Sequence, residues 1–250
     1  MEGFQTTGYV VDIVLCIDGT MSMAPIINKI KLDAKNFYMM YANAMQSYDP
    51  PKPIRENGMR VKVIVFRDFK DDGDQALVES PFYNLQDPSE LNAFNAYVDA
   101  ITPSGGGDYP ENALEAIAVA MKSQWAMNGN PRYRRQAILV FTDNCALQFN
   151  HPERISNPCY PRSIPKNAEE FIELWGSENN EMAPYYAPLN GRLIIFAPES
   201  TQSADTLSDV VQWRPLADSL DRVWFVPMIE GGGCAEQDLN NAMDILVGSF

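Results

Sequence analysis

Residues 9–17, YVVDIVLCI, form a nearly continuous apolar run, and DGTMS at residues 18–22 follows it directly. An apolar run of this length that is rich in β-branched residues is typical of a strand covered on both faces. The polar residues Asp18, Thr20 and Ser22 then stand at alternate positions, so a curled loop can direct three oxygen atoms toward one point. The stretch predicts a buried strand that ends in a polar loop.

Strand-like and helical segments alternate along the rest of the chain. Further strands are predicted at residues 59–66, 76–78, 136–142, 192–197 and 223–228. Helices are predicted at residues 25–45, 89–101 with Ser89 as its cap, 111–125, 168–175, 206–220 and 236–246. This alternation is typical of βαβ crossovers, so it predicts an α/β fold with a Rossmann-like, doubly wound, mainly parallel sheet flanked by helices.

Residues 144–190 interrupt the alternation. They are rich in Pro, Asn and Tyr, which predicts an irregular insertion. The chain of 250 residues has the length of one large domain, so we expect a single domain over residues 1–250 that carries this insertion. Because the insertion follows a polar loop, and loops on a rigid scaffold often carry recognition, it is our candidate for the specificity element.

The formal net charge of the chain is −14. A negative field repels phosphate backbones and anionic lipid surfaces, and it attracts cations. Nucleic-acid binding needs Lys and Arg side chains that displace counterions, so the charge argues against a nucleic-acid or membrane partner. Solubility by itself would also account for a charge of this size.

The cysteines and the N-terminus together favour a cytoplasmic protein. Cys16, Cys145, Cys159 and Cys234 form no CxxC pair, which favours reduced thiols. A disulfide between Cys145 and Cys159 stays open, because the sequence does not give their separation. The N-terminus lacks the basic region of a signal peptide, and no stretch approaches the roughly 18 apolar residues of a membrane span.

Two further polar groups are expected at the same edge of the sheet as the first loop. Residues 105–108, GGGD, precede a predicted helix, and Asp143 directly follows the strand at 136–142. Ligands of such sheets bind at the carboxyl ends of the strands. Asp, Thr and Ser supply hard oxygen ligands, which Mg²⁺ prefers in octahedral geometry. The loops together predict a divalent cation site.

Simpler interpretations of these features stay open. The segment 18–22 can be a plain strand-to-helix turn with Ser22 as a cap, the three glycines a connector, and Asp143 a helix cap. The acidic turn at residues 68–74 is interpreted as a solvated hairpin, because it lacks the spacing and terminal Glu of an EF-hand. His151, the single histidine, is expected at the surface or in packing.

The order of these motifs resembles that of the von Willebrand factor A (VWA) family. VDIVLCIDGTMSM at residues 11–23 is similar to the family's first strand and its Asp-x-Ser-x-Ser metal loop, with Thr at the middle position. SGGGDYPENALEAI at 104–117 resembles the second loop and helix of a bacterial-type subgroup, and AILVFTDN at 137–144 resembles the third strand and its aspartate. The resemblance covers the chain apart from residues 144–190.

The resemblance implies a metal-ion-dependent adhesion site (MIDAS). Thr20 and Ser22 would bind the metal through their hydroxyls, whereas Asp18 and Asp143 would act mainly through metal-bound waters. Mg²⁺ is the expected ion, with Mn²⁺ and Ca²⁺ as alternatives.

The second loop departs from the family, which usually supplies a Thr there. Asp108 takes that place in this chain, which would put three carboxylates around one cation. Such a site would hold metal more firmly and leave it less electrophilic toward a partner's carboxylate. If the loop is shifted, Ser104 would be the ligand instead and restore the family pattern.

The resemblance implies a protein-binding scaffold and not an enzyme. The chain resembles a bacterial-type intracellular subgroup that is similar to tellurite-resistance-associated VWA proteins. Many partners of the family offer an acidic side chain to the metal, so the resemblance implies such a partner here. An AAA+ ATPase, a kinase or a phosphatase is the kind of partner that this analogy suggests.

The main rival function is a haloacid-dehalogenase-like phosphohydrolase, whose first motif is Asp-x-Asp-Gly-Thr. This chain has Cys16 where the nucleophilic aspartate belongs, so the interpretation survives only if Cys16 is itself the nucleophile. A nucleotide-binding domain is disfavoured, because neither GxGxxG nor GxxxxGK[ST] is present. Serine hydrolysis is disfavoured as well, since GxSxG is absent.

Overall fold

The structure, a computed structural model, describes residues 8–107, 110–127, 130–176, 191–199, 210–228 and 236–248. Its strands are β1 (Tyr9–Asp18), β2 (Ile54–Phe66), β3 (Leu77–Glu79), β4 (Tyr83–Asn84), β5 (Arg134–Phe141), β6 (Ala146–Leu147), β7 (Gly191–Pro198), β8 (Val210–Val211) and β9 (Val223–Met228). Its helices are α1 (Ile27–Ser47), α2 (Pro88–Ala100), α3 (Ala113–Met121), α4 (Ala168–Gly176), α5 (Trp213–Asp218) and α6 (Glu236–Gly248).

The main sheet has the order β3-β2-β1-β5-β7-β9 in the described part of the chain. β1, β2, β5, β7 and β9 are parallel, whereas β3 and β4 pair antiparallel with β2. In register, Asp18 lies opposite Phe66 of β2, and Ile17 lies opposite Phe141 of β5. The carboxyl ends of these three strands therefore meet at one edge of the sheet, and the predicted doubly wound α/β fold is confirmed.

The two faces of β1 pack against different layers of helices. Val11, Ile13, Leu15 and Ile17 belong to the core with α1, α2 and α6, whereas Val14 and Cys16 belong to the core with α3. Alternation with a period of two is what a strand between two helical layers requires. Burial on both faces makes β1 rigid, so the polar loop after Asp18 starts from a fixed position.

The predicted insertion is described from residue 144 to 176, and it holds β6 and α4. Several of its side chains pack over α3 in the second core, among them Tyr160, Ile164, Phe171 and Trp175. Because α3 is buried along nearly its whole length, this segment covers what would otherwise be an apolar helix face. Residues 177–190, including Tyr185 and Tyr186, lie outside the described residues.

Two helix predictions need correction at their first residues. The cap of α2 is Asp87 and not Ser89: its Oδ1 accepts hydrogen bonds from the backbone N–H groups of Ser89 (2.8 Å) and Glu90 (3.1 Å). Asp87 is favoured there because Pro88 occupies the first helical position. Helix α3 begins at Ala113 and not at Glu111, which pairs with Ala146 in an isolated β-bridge.

The helix predicted at residues 206–220 is shorter than expected. Residues 210–211 form a strand with β6, and α5 begins only at Trp213, so Pro215 falls in its first turn, where a proline is tolerated. Residues 200–209 lie outside the described residues. None of the described helices is both long and apolar enough to cross a membrane.

Candidate metal centre

A chain of closely spaced side-chain oxygens connects the loop after β1 with the loop after β5. The Thr20 hydroxyl donates to Asp18 Oδ1 (2.6 Å) and lies 3.0 Å from the Ser22 hydroxyl. Ser22 in turn donates to Asp143 Oδ1 (3.1 Å). Four of the residues predicted as metal ligands are thus brought together, although 121 positions separate Ser22 from Asp143 in the sequence.

Asp18 lies at the buried end of this chain. Its side chain has no exposed surface, and its Oδ2 accepts a hydrogen bond from the Thr142 hydroxyl at 2.8 Å. Burial, together with the nearby charge of Asp143, raises the pKa of Asp18 to about 7, although hydrogen bonds from Thr20 and Thr142 oppose the rise. Asp143 is half-buried, and burial also raises its pKa. The site therefore holds carboxylates in an environment that disfavours their charge.

Glu111 adds a third carboxylate that the sequence analysis missed. Only 3 % of the surface of Glu111 is exposed, and its Oε2 has no hydrogen-bond partner within the described residues. Burial and the negative charges of Asp18 and Asp68 raise the pKa of Glu111 to about 9. The sequence analysis placed Glu111 inside a helix, whereas its position just before α3 leaves it beside the metal loops.

The glycine loop brings Glu111 and the first loop together. A Cβ atom placed on Gly106 would lie 2.9 Å from Thr20 Cβ and 3.0 Å from Glu111 Oε1, so this glycine sits between the two side chains. The φ angles of Gly105 (66°) and Gly106 (72°) are positive, a conformation that favours glycine. The backbone N–H of Met21 also donates to the Gly105 carbonyl at 3.2 Å.

Of the two residues predicted as ligands from the second loop, the structure describes only Ser104. Asp108 lies outside the described residues, so its role as a third carboxylate stays a prediction. Ser104 is exposed, and its backbone N–H donates to the Gly19 carbonyl at 2.9 Å. That bond holds the start of the glycine loop against the first metal loop.

Arg67 ties three loops together and was not anticipated from the sequence. It is buried, and its Nε donates to the carbonyl groups of Gly19 (3.0 Å) and Ser104 (3.1 Å). Its two terminal nitrogens donate to the carbonyls of Gln75 and Thr102, both at 3.1 Å. An arginine just after a strand carries no sequence signal for this role, because its partners are all backbone carbonyls.

The acidic turn at residues 68–74 is not the solvated hairpin that was expected. Asp68 has no exposed surface and forms an ion pair with Arg154 of the insertion, which is 2 % exposed, at 2.7 Å. Arg154 also donates to the carbonyl of Pro110, next to Glu111, at 3.3 Å. The insertion is therefore anchored by a buried charge pair directly beside the second loop.

The donor set fits a hard divalent cation. Thr20 and Ser22 have two hydroxyl hydrogens for three short oxygen contacts, so one contact lacks a hydrogen unless a carboxyl group is protonated. The buried carboxylates Asp18 and Glu111 repel one another, and a cation would relieve both problems. Within the described residues, no cluster of three or more His, Cys, Asp or Glu side chains is arranged to hold a metal by itself.

Cys16 does not have the properties of a nucleophile. Its thiol is completely buried in the core, 3.8 Å from the Ala116 carbonyl, and burial raises its pKa far above the usual range. A thiol that stays protonated and inaccessible cannot attack a phosphate ester. Cys145 and Cys159 are both free thiols, so the disulfide left open above is absent.

Comparison with known proteins identifies the fold. No family model matches the chain, and no curated protein sequence is similar to it. Among solved structures, the pilus adhesin SpaC from Lactobacillus rhamnosus GG aligns over 97 % of this chain with a TM-score of 0.56 and 13 % identity. The PilB minor pilin from Streptococcus sanguinis aligns over 98 % of it with a TM-score of 0.51 and 11 % identity.

These similarities concern the fold alone. This chain spans 31 % of the adhesin and 61 % of the minor pilin. Proximal thread matrix protein 1 from the mussel byssus, in a structure with a zinc-occupied MIDAS motif, aligns with a TM-score of 0.46. A score this low does not establish a shared fold. The chain has a doubly wound, VWA-like fold, as the resemblance implied.

Proposed function

We propose that this chain is a metal-ion-dependent protein-binding domain. It binds one divalent cation at the edge where β1 and β5 end, through Thr20 and Ser22, with Asp18 and Asp143 acting through bound waters. The observation that carries the proposal is the chain of side-chain oxygens of Asp18, Thr20, Ser22 and Asp143, whose successive contacts are 2.6, 3.0 and 3.1 Å. Glu111, whose buried Oε2 has no hydrogen-bond partner among the described residues, is proposed as the donor from the second loop, and Asp108 stays a candidate beside it.

Mg²⁺ is the proposed ion. Hydroxyl, carboxylate and water oxygens are the ligands that Mg²⁺ prefers, and Mn²⁺ shares that preference. Ca²⁺ takes more oxygen ligands at longer distances, so it would need the carboxylates of Glu111 or Asp108 to bind directly.

The proposed partner is a protein that offers a carboxylate to the metal. Met21 stands between the two hydroxyl residues and is 58 % exposed, so an apolar side chain lies at the rim of the metal site. An exposed methionine suits an adaptable protein contact better than a small polar substrate. An intracellular partner such as an AAA+ ATPase, kinase or phosphatase, and a cytoplasmic location, belong to the proposal through family analogy.

The proposed role is recognition and not catalysis. The rival phosphohydrolase needs a nucleophile two positions before Asp18, and the buried Cys16 at that position is unsuited to the task. His151 lies in the insertion, with its Nδ1 3.4 Å from Arg154, so its position fits the expected packing role.

Calorimetry with metal-stripped protein tests the metal site. We expect one site for Mg²⁺ or Mn²⁺ in the wild type and a loss of affinity of about tenfold or more in Ser22→Ala and Glu111→Gln. Glu115→Gln is the matched control, because Glu115 is an equally buried glutamate near the same helix end that has no part in the site. The absence of metal binding, or equal affinities in all four proteins, would contradict the proposal.

A second measurement tests the partner chemistry. The probe is a short glutamate-rich peptide, added in Mg²⁺ and again after metal removal. Binding that needs Mg²⁺ and is weakened in Met21→Ser, with metal affinity unchanged, would support recognition of an acidic partner. Metal binding without any metal-dependent peptide binding would instead favour a structural role for the ion.

A further inference from the structure

A second candidate site lies away from the metal loops. A cleft of about 650 Å³ opens between β2, the end of α3 and the insertion. This volume is within the usual range for small-molecule sites. We propose that the cleft binds a small organic polyanion, one that carries at least two carboxylate or phosphate groups.

The charge of the cleft is opposite to that of the chain as a whole. Its lining contains the cations Arg60, Lys62, Lys122 and Arg162, and Glu79 is its single acid. The formal charge of the whole chain is −14. A cationic cleft on an acidic protein produces a local positive potential that concentrates small anions, while the overall field repels large ones such as nucleic acid.

Two of these cations are already neutralised. Arg60 makes a bidentate ion pair with the buried Asp12 (2.9 and 2.7 Å), and Lys62 pairs with Glu79 at 2.5 Å. Lys122 and Arg162, in contrast, have no carboxylate within ion-pair distance in the described part of the chain. The cleft therefore has two positive charges that lack a counter-charge, and a ligand with two anionic groups would complement both.

Three of the four cationic side chains of the cleft are held in place before any ligand arrives. The Lys122 amine donates to the Ser163 carbonyl of the insertion at 3.0 Å, and Lys62 also donates to the buried Ser123 hydroxyl at 3.2 Å. Phe82 packs against the Arg60 guanidinium (4.5 Å) and edge-on against Trp125 (5.8 Å). Side chains that are ordered beforehand lose little entropy when they bind an anion.

The cleft is separate from the metal site. Lys62 lies opposite Val14 of β1, four positions before Asp18. At a strand rise of about 3.3 Å per residue, this register offset alone is about 13 Å. Binding of an anion in the cleft should therefore not require the metal, and loss of the metal site should not abolish it.

Calorimetry with citrate and with pyrophosphate, on the metal-free full chain, tests this inference. We expect binding of at least one probe and a loss of about tenfold or more in the double variant Lys122→Ala/Arg162→Ala. Arg132→Ala/Lys166→Ala is the matched control, because it removes two exposed positive charges that do not line the cleft. The single variant Lys166→Ala removes one of these charges from the same insertion. Citrate binding without pyrophosphate binding would identify a polycarboxylate ligand, and the reverse a phosphorylated one.

Several results would overturn the inference. One is the absence of heat with both probes at millimolar concentration. Another is an equal loss of affinity in Arg132→Ala/Lys166→Ala and in Lys122→Ala/Arg162→Ala, since this would indicate a general effect of net charge. A third is unchanged affinity in Lys122→Ala/Arg162→Ala while its thermal unfolding matches that of the wild type, which shows that the variant is folded.

Discussion

Asp72 of the acidic turn accepts a hydrogen bond from the backbone N–H of Gly106 at 3.0 Å. The same oxygen accepts from the backbone N–H of Asp68, also at 3.0 Å. One carboxylate therefore joins the turn after β2 to the glycine loop, and the glycine loop contacts Thr20 and Glu111. The acidic turn thus fixes the position of the glycine loop relative to Thr20 and Glu111, and this role does not require the turn to bind an ion.

Replacement of Asp72 by alanine should weaken metal binding. The variant Asp72→Ala removes the acceptor that holds Gly106, so the second loop loses its position and metal affinity falls by about tenfold. Calorimetric titration with Mn²⁺ checks this. Asp74→Ala is the control, because Asp74 of the same turn is exposed and, among the described residues, its carboxylate accepts a hydrogen bond only from the neighbouring Gln75 side chain, at 3.4 Å. Equal affinities for the two variants would show that the acidic turn does not position the site.

Replacement of Gly106 by alanine should cost more stability than replacement of Gly73. Both glycines have positive φ angles, so alanine is strained at either position. A Cβ on Gly73 meets nothing within 4 Å, whereas on Gly106 it lies 2.9 Å from Thr20. We expect a loss of about 1–2 kcal/mol for Gly73→Ala and about 2–4 kcal/mol for Gly106→Ala. Urea unfolding measures both, and similar losses would mean that the loop can move away from Thr20.

The elements of the fold could largely be predicted, because hydrophobic periodicity reports burial directly. The run at residues 9–17 is apolar on both faces, and the structure buries it between two helical layers. The first and last residues of the helices were harder to predict. Glu111 lies just before the apolar helical pattern of α3 and was included in the predicted helix. Its backbone instead pairs with Ala146, a residue 35 positions later in the sequence. A contact of that range leaves no trace in local periodicity.

The candidate site was predictable only in its first and third loops. The sequence signal there is the alternate spacing of Asp18, Thr20 and Ser22, together with an aspartate, Asp143, directly after a later strand. Arg67 carries none, because it acts through carbonyl groups that every residue has. Asp68 was misjudged because an acidic turn is normally solvated, and its buried partner Arg154 lies 86 positions away.

The buried ion pair between Asp68 and Arg154 should contribute far more to the unfolding free energy than the exposed ion pair beside it. Arg154→Met leaves Asp68 buried without its cation, so we expect a loss of about 3–5 kcal/mol in unfolding free energy. Lys70 and Glu153 form a pair at 2.9 Å between the same two segments, but both side chains are exposed. Lys70→Ala should cost less than about 1 kcal/mol. Urea unfolding compares the variants, and comparable losses would contradict the assigned anchoring role.

The contribution of Glu115 to stability should fall as the pH rises through the range in which this residue titrates. Glu115 is fully buried, and burial raises its pKa to about 7 although Tyr160 donates a hydrogen bond to it at 2.7 Å. The folded state therefore holds this proton more tightly than the unfolded state, whose pKa is the ordinary value of about 4.3. The contribution of Glu115 to the unfolding free energy is therefore highest below about pH 4, declines up to about pH 7 and is constant above that pH.

The variant Glu115→Gln should remove this contribution. It keeps the acceptor for Tyr160 but cannot ionise, so its unfolding free energy between pH 5 and pH 8 should fall less than that of the wild type by on the order of 3 kcal/mol. Chemical unfolding of both proteins without metal, at several pH values, gives the comparison. Parallel pH dependences would show that Glu115 does not titrate in this range.

The most direct test of the account is to locate the ion. Crystals grown with Mn²⁺ and measured at its absorption edge would show the metal by its anomalous scattering. The account predicts one strong peak within about 2.2 Å of the Thr20 and Ser22 hydroxyl oxygens, at the edge where β1 and β5 end. A peak at the acidic turn of residues 68–74 alone, or no peak beside Ser22, would contradict it.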